Sequence, residues 1–278
     1  MRIESITSAS NPKIKNLLLL QEKSKARKEQ GLFVVEGRRE LEHCLEAGYT
    51  VRTLFVCPEI YGDIDSAENY FLCSSPKNQF SAESSANVAG IIEIPEQLYR
   101  KVAYRESTEG IIAEVEYKSL KLGDLQLPEN PLVMVLESVE KPGNLGAVLR
   151  SADAAGVDAV IFCDPLTDLY NPNLIRASIG AVFTVPTVAV SSEEAIAFLK
   201  ARDIQILTAQ LQDSSLYYDI DMRRGTALVM GTEATGLTDV WRKAASAHIR
   251  IPMLGRLDSL NVSVSAAILL FEAVRQRQ

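Results

Sequence analysis

The stretch TALVMGTEATG, residues 226–236, joins a continuous apolar run to a loop rich in glycine, threonine and glutamate. Two similar apolar runs, LVMVL (132–136) and AVIF (159–162), occur earlier in the same part of the chain. Runs without polar alternation are typical of strands that are buried on both faces, as in parallel sheets covered by helices. We therefore expect an α/β fold with a parallel sheet in this region.

Polar loops in the same region carry residue types that bind ligands. One loop reads PGNLGAVLRSA (142–152), and another, before the last helix, reads IRIPMLGRLDSLNV (249–262). The carboxyl ends of parallel strands share one edge of a sheet, where ligands usually bind. We therefore expect these two loops and the polar part of 226–236 to form one composite site.

The pattern along the chain predicts two domains. Residues 1–118 repeat the order strand, helix, strand and are predicted as a small α/β domain, with a charged helix over 12–29. Residues 119–130 contain Gly, Pro and Asn with little periodicity, and they are predicted as a linker to a second domain at 131–278.

Helical stretches separate the apolar runs of the second domain. They are expected near residues 144–155, 172–182 and 192–202. The last helix is apolar almost all round from Ala266 to Phe271. Such a helix is buried in a core or in a subunit interface.

Composition limits the class of protein. The chain has 278 residues, of which 47% are apolar and 23% charged, as in ordinary globular proteins. No apolar stretch reaches the roughly 18 residues that cross a bilayer, and the start lacks the apolar core of a signal peptide. The four cysteines and two histidines show no metal-ligand spacing. We therefore expect a cytoplasmic protein with buried thiols, without a metal and without membrane association.

Charge is distributed unevenly. The net charge is −7, which by itself argues against a nucleic-acid partner, because phosphate binding needs positive potential. Residues 11–39, however, hold eight Lys and Arg against three Glu. On charge alone, this basic stretch is equally well interpreted as a solvated helix face or as a surface for phosphates.

Each polar loop also has an ordinary structural interpretation. Asn144 is a plausible helix N-cap, and Arg150 could form a surface ion pair. Glu233 could cap a turn, or it could hold an arginine or a ligand amine or hydroxyl. Ser259 and Asn261 could cap the last helix, or they could offer adjustable hydroxyl and amide groups. Taken singly, these positions do not choose between the interpretations.

Some site classes are disfavoured. Because no histidine lies in the three loops, we do not expect a Ser-His-Asp triad. The loops also lack the GxGxxG fingerprint of dinucleotide binding and the GK[ST] of a phosphate loop. This absence argues against an oxidoreductase, which only the parallel-sheet pattern would favour.

Taken together, the loops resemble the SpoU (TrmH-like) branch of the SPOUT methyltransferases. Its three motifs are similar, in order, to NLGAVLRSA, LVMGTEATGL and IPMLGRLDSLNVSVSAA, and a further family pattern resembles IRASIGAVFTVP (175–186). The amino-terminal part is similar to the substrate-binding domain of this family, which has a ribosomal-protein-like, RNA-binding fold. That likeness is carried by SASNPKIKNLLLLQEKSKARKEQGLFVVEG and STEGIIAEV.

The resemblance implies an activity and an architecture. It implies S-adenosylmethionine as cofactor, a ribose 2′-hydroxyl of RNA as methyl acceptor, a deep trefoil knot in the carboxy-terminal domain, and a homodimer. Ribosomal RNA is favoured because the extra amino-terminal domain resembles that of rRNA-modifying members. A tRNA substrate stays open, as does a non-catalytic RNA-binding relative. The segment RRELEHCLEA (38–47) carries more charge than the family pattern, which leaves the identity of the RNA open.

The resemblance also implies roles for single residues. The backbone around Gly231, Ile251 and Leu260 is expected to cradle the cofactor. The family's polar active-site positions match Asn144, Arg150, Glu233, Ser259 and Asn261. With the resemblance in place, we expect phosphate contacts from the basic stretch, at Lys23, Lys25, Arg27, Lys28 and Arg38.

Overall fold

The computed structural model describes residues 3–62, 90–104, 109–232 and 234–278. The chain forms two compact units. The first consists of Met1–Lys118 with Tyr170–Arg176, and the second of Ser119–Leu169 with Ala177–Gln278.

The described residues of the first unit form a five-stranded mixed sheet in the order β1-β4-β3-β5-β2. Strands β1, β4 and β3 pair in parallel, whereas β5 pairs antiparallel with both β3 and β2. Apolar side chains of α1 and α5 pack on one face of this sheet and form its core. The elements are β1 (Ile3–Ser5), α1 (Pro12–Glu22), α2 (Ser24–Gln30), β2 (Leu32–Glu36), α3 (Arg38–Glu46), β3 (Val51–Val56), α4 (Pro58–Tyr61), β4 (Ile91–Glu93), α5 (Glu96–Val102) and β5 (Ile111–Glu116).

The single helix predicted over 12–29 is two helices that meet at Lys23, whose backbone is extended. The Arg27 guanidinium fills the break, because its Nη1 donates to the carbonyl oxygens of Leu20 at 2.7 Å and Gln21 at 3.1 Å. These carbonyls belong to the last turn of α1, where no backbone donor of the helix reaches them. Arg27 is only 2% exposed. The prediction that Arg27 contacts RNA phosphates is therefore wrong, since its charge serves the helix junction.

The second unit confirms the predicted parallel sheet. Seven strands lie in the order β10-β12-β9-β11-β6-β7-β8, and every described pairing is parallel. The strands are β6 (Leu132–Glu137), β7 (Ala159–Cys163), β8 (Thr187–Val190), β9 (Gln205–Ala209), β10 (Ser215–Leu216), β11 (Thr226–Met230) and β12 (Ala247–Arg250). The helices along this part of the chain are α6 (Pro142–Ala154), α7 (Pro172–Ser178), α8 (Ala181–Thr184), α9 (Ser192–Ala201), α10 (Asp239–Ala244) and α11 (Val262–Arg277).

Two local predictions differ from the structure. The segment 119–130 is not a free linker, because Leu125 is 4% exposed in the core of the second unit and neighbouring leucines pack against it. The helix predicted over 172–182 is interrupted at Ile179 and Gly180, whose φ angles are 53° and 82°. Two successive left-handed residues cannot continue a right-handed helix, so α7 and α8 are separate.

Helix α6, which carries Asn144 and Arg150, lies against its neighbours with very little space. A Cβ atom added at Gly146 would lie 2.5 Å from the Cβ of Ala177 and 2.7 Å from the backbone nitrogen of Ser178. The motif IRASIGAVFTVP therefore supplies a close-packed partner for the helix of the first motif. Helix α11 also packs on α6.

Helix α11 is only partly covered within one chain. Ala266, Leu269 and Leu270 are buried, but Phe271 is 48% exposed, as is Val264. The prediction of burial in a core thus holds for one face, and the other face is open.

The described residues also show whether membrane-spanning helices, metal clusters or free thiols are present. None of the described helices combines the length and apolar character needed to cross a bilayer. No group of three or more His, Cys, Asp or Glu residues with metal-binding geometry occurs in the described part of the chain. Cys44, Cys57 and Cys163 are buried free thiols, and Cys73 lies outside the described residues.

Candidate active site

A cavity of about 370 Å³ lies at the carboxyl ends of β9, β11 and β12. The residues that follow each of these strands line it, as expected for ligand sites of parallel sheets. Gly231, Ile251 and Leu260, the three residues predicted to cradle the cofactor, all belong to its lining. The second and third motifs thus meet around one space.

Gly231 begins a loop that folds back on itself. The backbone nitrogen of Gly236 donates to the carbonyl of Thr232 at 3.0 Å, and the two residues form a β-bridge. A Cβ atom at residue 231 would lie 2.2 Å from the carbonyl oxygen of Gly236. Because backbone atoms occupy that space, only glycine fits here. Glu233, predicted as a site residue within this loop, lies outside the described residues.

The cavity lining mixes apolar walls with polar groups. Met230, Leu237, Ile249 and Met253 provide apolar surface. Gln210, also in the lining, donates from Nε2 to the carbonyl of Gln212 at 2.9 Å, while its Oε1 is buried without a hydrogen-bond partner among the described residues. The amide cannot be flipped, because Oε1 would then face the carbonyl oxygen of Gln212. The bond to Gln212 therefore fixes Oε1 as an acceptor without a partner among the described residues.

This lining fits S-adenosylmethionine. The volume lies in the range of about 300–1,000 Å³ typical of small-ligand sites. Apolar walls suit the adenine ring of the cofactor. Sequence reasoning missed Gln210 because the strand before it, β9, carries Gln205 and Thr208 and does not form a continuous apolar run.

Asn144 and Asn261 join the first motif to the third. Asn261 caps α11, since its Oδ1 accepts from the backbone nitrogen of Ser263 at 2.9 Å, and its Nδ2 donates to Asn144 Oδ1 at 3.1 Å. The capping expected of Asn261 is therefore present together with a contact across the site. The capping expected of Asn144 is wrong, because α6 begins at Pro142 and Lys141 is its N-cap. Asn144 lies in the first turn, where its side chain reaches Asn261.

Ser259 and Arg150 occupy different surroundings. Ser259 lines the cavity, and its hydroxyl donates to Asp258 Oδ1 at 3.2 Å. Arg150 is exposed, and within the described ranges it has no ion pair or hydrogen-bond partner, so the surface ion pair considered from the sequence is not seen there. At 3.6 residues per turn, Arg150 projects about 120° around α6 from Asn144. The structure therefore does not bring Arg150 into contact with the Asn144–Asn261 pair.

The predicted phosphate-binding residues fall into two groups. Lys23, Lys25 and Lys28 are exposed, and the first two make only loose ion pairs, with Glu22 at 3.8 Å and Glu29 at 3.7 Å. Such surface pairs contribute little and break easily, which leaves these amines available.

Arg38 is held more firmly than these lysines. Its Nη2 donates to the carbonyl of Tyr61 at 2.7 Å, and its guanidinium lies 4.0 Å from the centre of the Tyr61 ring. This contact fixes an exposed, planar cation on the surface of the first unit.

Comparison with known proteins covers both parts of the chain. Residues 131–271 match the SpoU rRNA Methylase family, and residues 11–113 match the MRM3-like substrate binding domain. The chain is similar to the 23S rRNA (guanosine-2'-O-)-methyltransferase RlmB of Bordetella pertussis, with 41% identity over 175 residues, covering 61% of this chain and 71% of that protein. It is also similar to the 23S rRNA (guanosine(2553)-2'-O)-methyltransferase RlmP of Bacillus subtilis, with 28% identity across 97% of this chain and 98% of that one.

Solved structures agree over nearly the whole length. A crystal structure of an RNA 2'-O ribose methyltransferase matches with a TM-score of 0.80 and 37% identity, covering 98% of this chain and 99% of that one. The SpoU methyltransferase AviRb from Streptomyces viridochromogenes, in complex with the cofactor AdoMet, matches with a TM-score of 0.84 and 28% identity, covering 96% and 98%.

Proposed function

The chain belongs to the SpoU rRNA Methylase family, and we propose that it transfers the methyl group of S-adenosylmethionine to a ribose 2′-hydroxyl of 23S ribosomal RNA. One observation carries the proposal at the level of the site. The glycine loop at Gly231 and the loop at Leu260 line one cavity, and Asn261, the next residue, is bonded to Asn144 of the first motif. The cofactor side and the acceptor side of a methyl transfer are thereby adjacent.

The residues that hold the cofactor are those of the cavity. The backbone around Gly231, Ile251 and Leu260 would hold the adenosyl group. When bound, S-adenosylmethionine supplies a methyl group on a positively charged sulfur, which a nucleophilic oxygen attacks in line. The protein's part is to align that oxygen, which accounts for much of the rate gain in such reactions.

Arg150 acts on the acceptor side. A guanidinium is not deprotonated in proteins, so it does not serve as the base for the ribose hydroxyl. Arg150 instead binds the phosphate next to the target ribose and holds that phosphate where it accepts the proton. Asn144 and Asn261 orient the ribose, Ser259 supports the cofactor loop, and Glu233 orients the Arg150 guanidinium.

The decisive experiment changes Arg150 alone. Arg150→Ala abolishes methylation of 23S rRNA, because the phosphate is no longer positioned, while isothermal titration calorimetry gives an unchanged Kd for S-adenosylmethionine. Arg150→Lys, which keeps the charge but not the planar fork, restores part of the activity. Near-normal turnover by Arg150→Ala would remove Arg150 from the mechanism.

The exposed lysines of α2 and of its junction with α1 contact RNA phosphates. Neutralising Lys23, Lys25 and Lys28 together weakens RNA binding and makes the negative slope of log K against log salt shallower by about 2, as expected for three lost phosphate contacts. Lys200→Ala, at the exposed end of α9 in the other unit, is the matched control and leaves the slope unchanged. Arg38 offers a further, planar cation for a phosphate on the surface of the same unit.

A homodimer covers the open face of α11. Val264 and Phe271 are two helical turns apart and are both 48% exposed, and Leu254 and Leu257 nearby in sequence are 98% and 75% exposed. Apolar side chains exposed on one helix face mark interaction surfaces. Light scattering is expected to give twice the chain mass of 30.5 kDa, whereas the mass of a single chain would contradict the proposal.

Three further properties accompany the family assignment. The chain of the second unit forms the deep trefoil knot of SPOUT domains, the protein works in the cytoplasm where its rRNA substrate is found, and the reaction needs no metal. Methylation that persists in excess EDTA supports the last point, and loss of activity on chelation would refute it.

A further inference from the structure

Glu137 is the residue of β6 from which the chain leaves the sheet towards the first motif, and it contacts the residue that follows the second motif. It is the last residue of β6, and the chain then turns at Ser138, whose φ of 51° is left-handed, towards α6 with Asn144. Its side chain reaches Thr238, the residue that follows the glycine loop and precedes α10. Glu137 thus touches the end of the cofactor loop while belonging to the strand of the acceptor motif.

Both carboxylate oxygens of Glu137 are used by Thr238. Oε2 accepts from the backbone nitrogen at 2.9 Å, and Oε1 accepts from the hydroxyl at 2.6 Å. Glu137 is 3% exposed, and a buried carboxylate is tolerated only where hydrogen bonds replace its water. Both oxygens of the carboxylate therefore serve to hold one residue, Thr238, at the end of the loop.

The side chain of Thr238 does not have the usual capping role at the start of α10. Thr238 is the N-cap of α10, yet its side chain makes no capping bond to the first turn. N-cap hydroxyls ordinarily accept from the second or third backbone nitrogen of their helix. Here the hydroxyl donates to Glu137 instead, so the bond fixes the loop end rather than the helix start.

The helix has a separate anchor. Trp241 is fully buried, and its Nε1 donates to the hydroxyl of Ser192 at 2.9 Å, which in turn donates to Asp164 Oδ2 at 2.6 Å. These hydrogen bonds hold α10 against Ser192 of α9 and Asp164 after β7, and none of the three side chains belongs to the loop 231–237. The hydrogen bonds that hold α10 and those that hold Thr238 are thus made by different side chains, although Leu237 and Trp241 share one apolar core.

We infer that Glu137 is a positioning residue that, through Thr238, sets the shape of the cofactor loop 231–237. The inference rests on the proposed use of S-adenosylmethionine. Its consequence is that removing Glu137 changes cofactor affinity more than it changes the stability of the fold.

The test compares cofactor affinity with thermal stability in purified full-length protein. Glu137→Ala is expected to raise the Kd for S-adenosylmethionine about tenfold, because two hydrogen bonds to a charged group are lost. Glu137→Gln restores binding to within about threefold, since the amide can accept from the Thr238 nitrogen and donate to its hydroxyl. Thr238→Val, which keeps the branched shape, weakens binding by a smaller factor, and combining it with Glu137→Ala adds nothing.

Ser192→Ala is the matched control. It removes the Trp241 anchor and lowers Tm, but it leaves the Kd for S-adenosylmethionine unchanged. If Glu137→Ala and Thr238→Val lower Tm while the Kd stays within about threefold of wild type, Glu137 is only structural and the inference is overturned. Should Glu137→Ala fail to fold, Thr238→Val still decides. A wild-type protein that binds no S-adenosylmethionine would refute the proposed function itself, which is a different outcome.

Discussion

Gly231→Ala is the substitution whose effect the geometry defines most sharply. The added Cβ would lie 2.2 Å from the oxygen of Gly236, 2.3 Å from its carbonyl carbon and 2.6 Å from the nitrogen of Leu237. Since unbonded heavy atoms pack at about 3.5 Å or more, the far side of the loop must move by about 1.3 Å. All three obstacles are backbone atoms, so no side chain can rotate away to relieve the contact.

The displacement has a definite energetic consequence. Forcing an extra methyl group into packed structure costs about 1–3 kcal/mol. Because the displaced residues line the cavity, we expect that strain to appear in cofactor binding, where it corresponds to a loss in affinity of about 5- to 150-fold. Isothermal titration calorimetry with S-adenosylmethionine measures this loss directly, and differential scanning fluorimetry reports any part that appears as lower Tm.

Gly143→Ala provides the control for this prediction. A Cβ at residue 143 meets nothing within 4 Å, and alanine is the better helix former in the first turn of α6. We expect an unchanged Kd and an equal or higher Tm. Wild-type affinity and wild-type Tm in Gly231→Ala would refute the reasoning, because the loop could then accept a side chain without moving.

Three further predictions concern the rest of the chain. Arg27→Ala should lower the free energy of unfolding by about 2–4 kcal/mol in urea titrations, since two charge-assisted bonds are lost. Lys25→Ala should change it by less than about 0.5 kcal/mol. Equal effects of the two substitutions would contradict the buried role of Arg27. Gly146→Ala should cost about 1–3 kcal/mol through its contact with Ala177, despite better helix propensity, and an unchanged Tm would show that the helices separate freely. Burial raises the pKa of Cys57 to about 11, so mass spectrometry after iodoacetamide treatment at about pH 8 should find this thiol modified only in denatured protein.

The central strands of the second unit could be predicted because their residues are apolar throughout. Strands β6, β7 and β11 are buried along their whole length, and such runs leave little alternative to a parallel sheet. Strand β9 was not predicted from the sequence, because it contains two polar residues, Gln205 and Thr208, which are buried in the structure. Their partners are distant: Gln205 Nε2 donates to Thr226 Oγ1 at 2.7 Å, and Thr208 Oγ1 lies 2.6 Å from His248 Nδ1. Tertiary partners of this kind cannot be seen in a local pattern.

The same limit applies to the site. The motifs indicated which loops matter, and Gly231, Ile251 and Leu260 do line one cavity. The local interpretation of Asn144 as an N-cap was wrong because its side-chain partner, Asn261, lies 117 residues away.

Arg27 is a residue for which the sequence pattern predicted a functional role and the structure shows a structural one. Its charge resembled that of its lysine neighbours, but the break in the helix at Lys23 turned it inward, and neither glycine nor proline marks that break.

The central claim is ribose methylation of 23S rRNA by this chain. The most direct measurement incubates unmodified 23S rRNA with the purified protein and S-adenosylmethionine carrying a labelled methyl group, and then identifies the labelled nucleoside and its position by mass spectrometry. We predict label at a single nucleotide, on the ribose 2′-oxygen, and none with Arg150→Ala. Label on a base, or no label from a protein that binds the cofactor, would contradict the account.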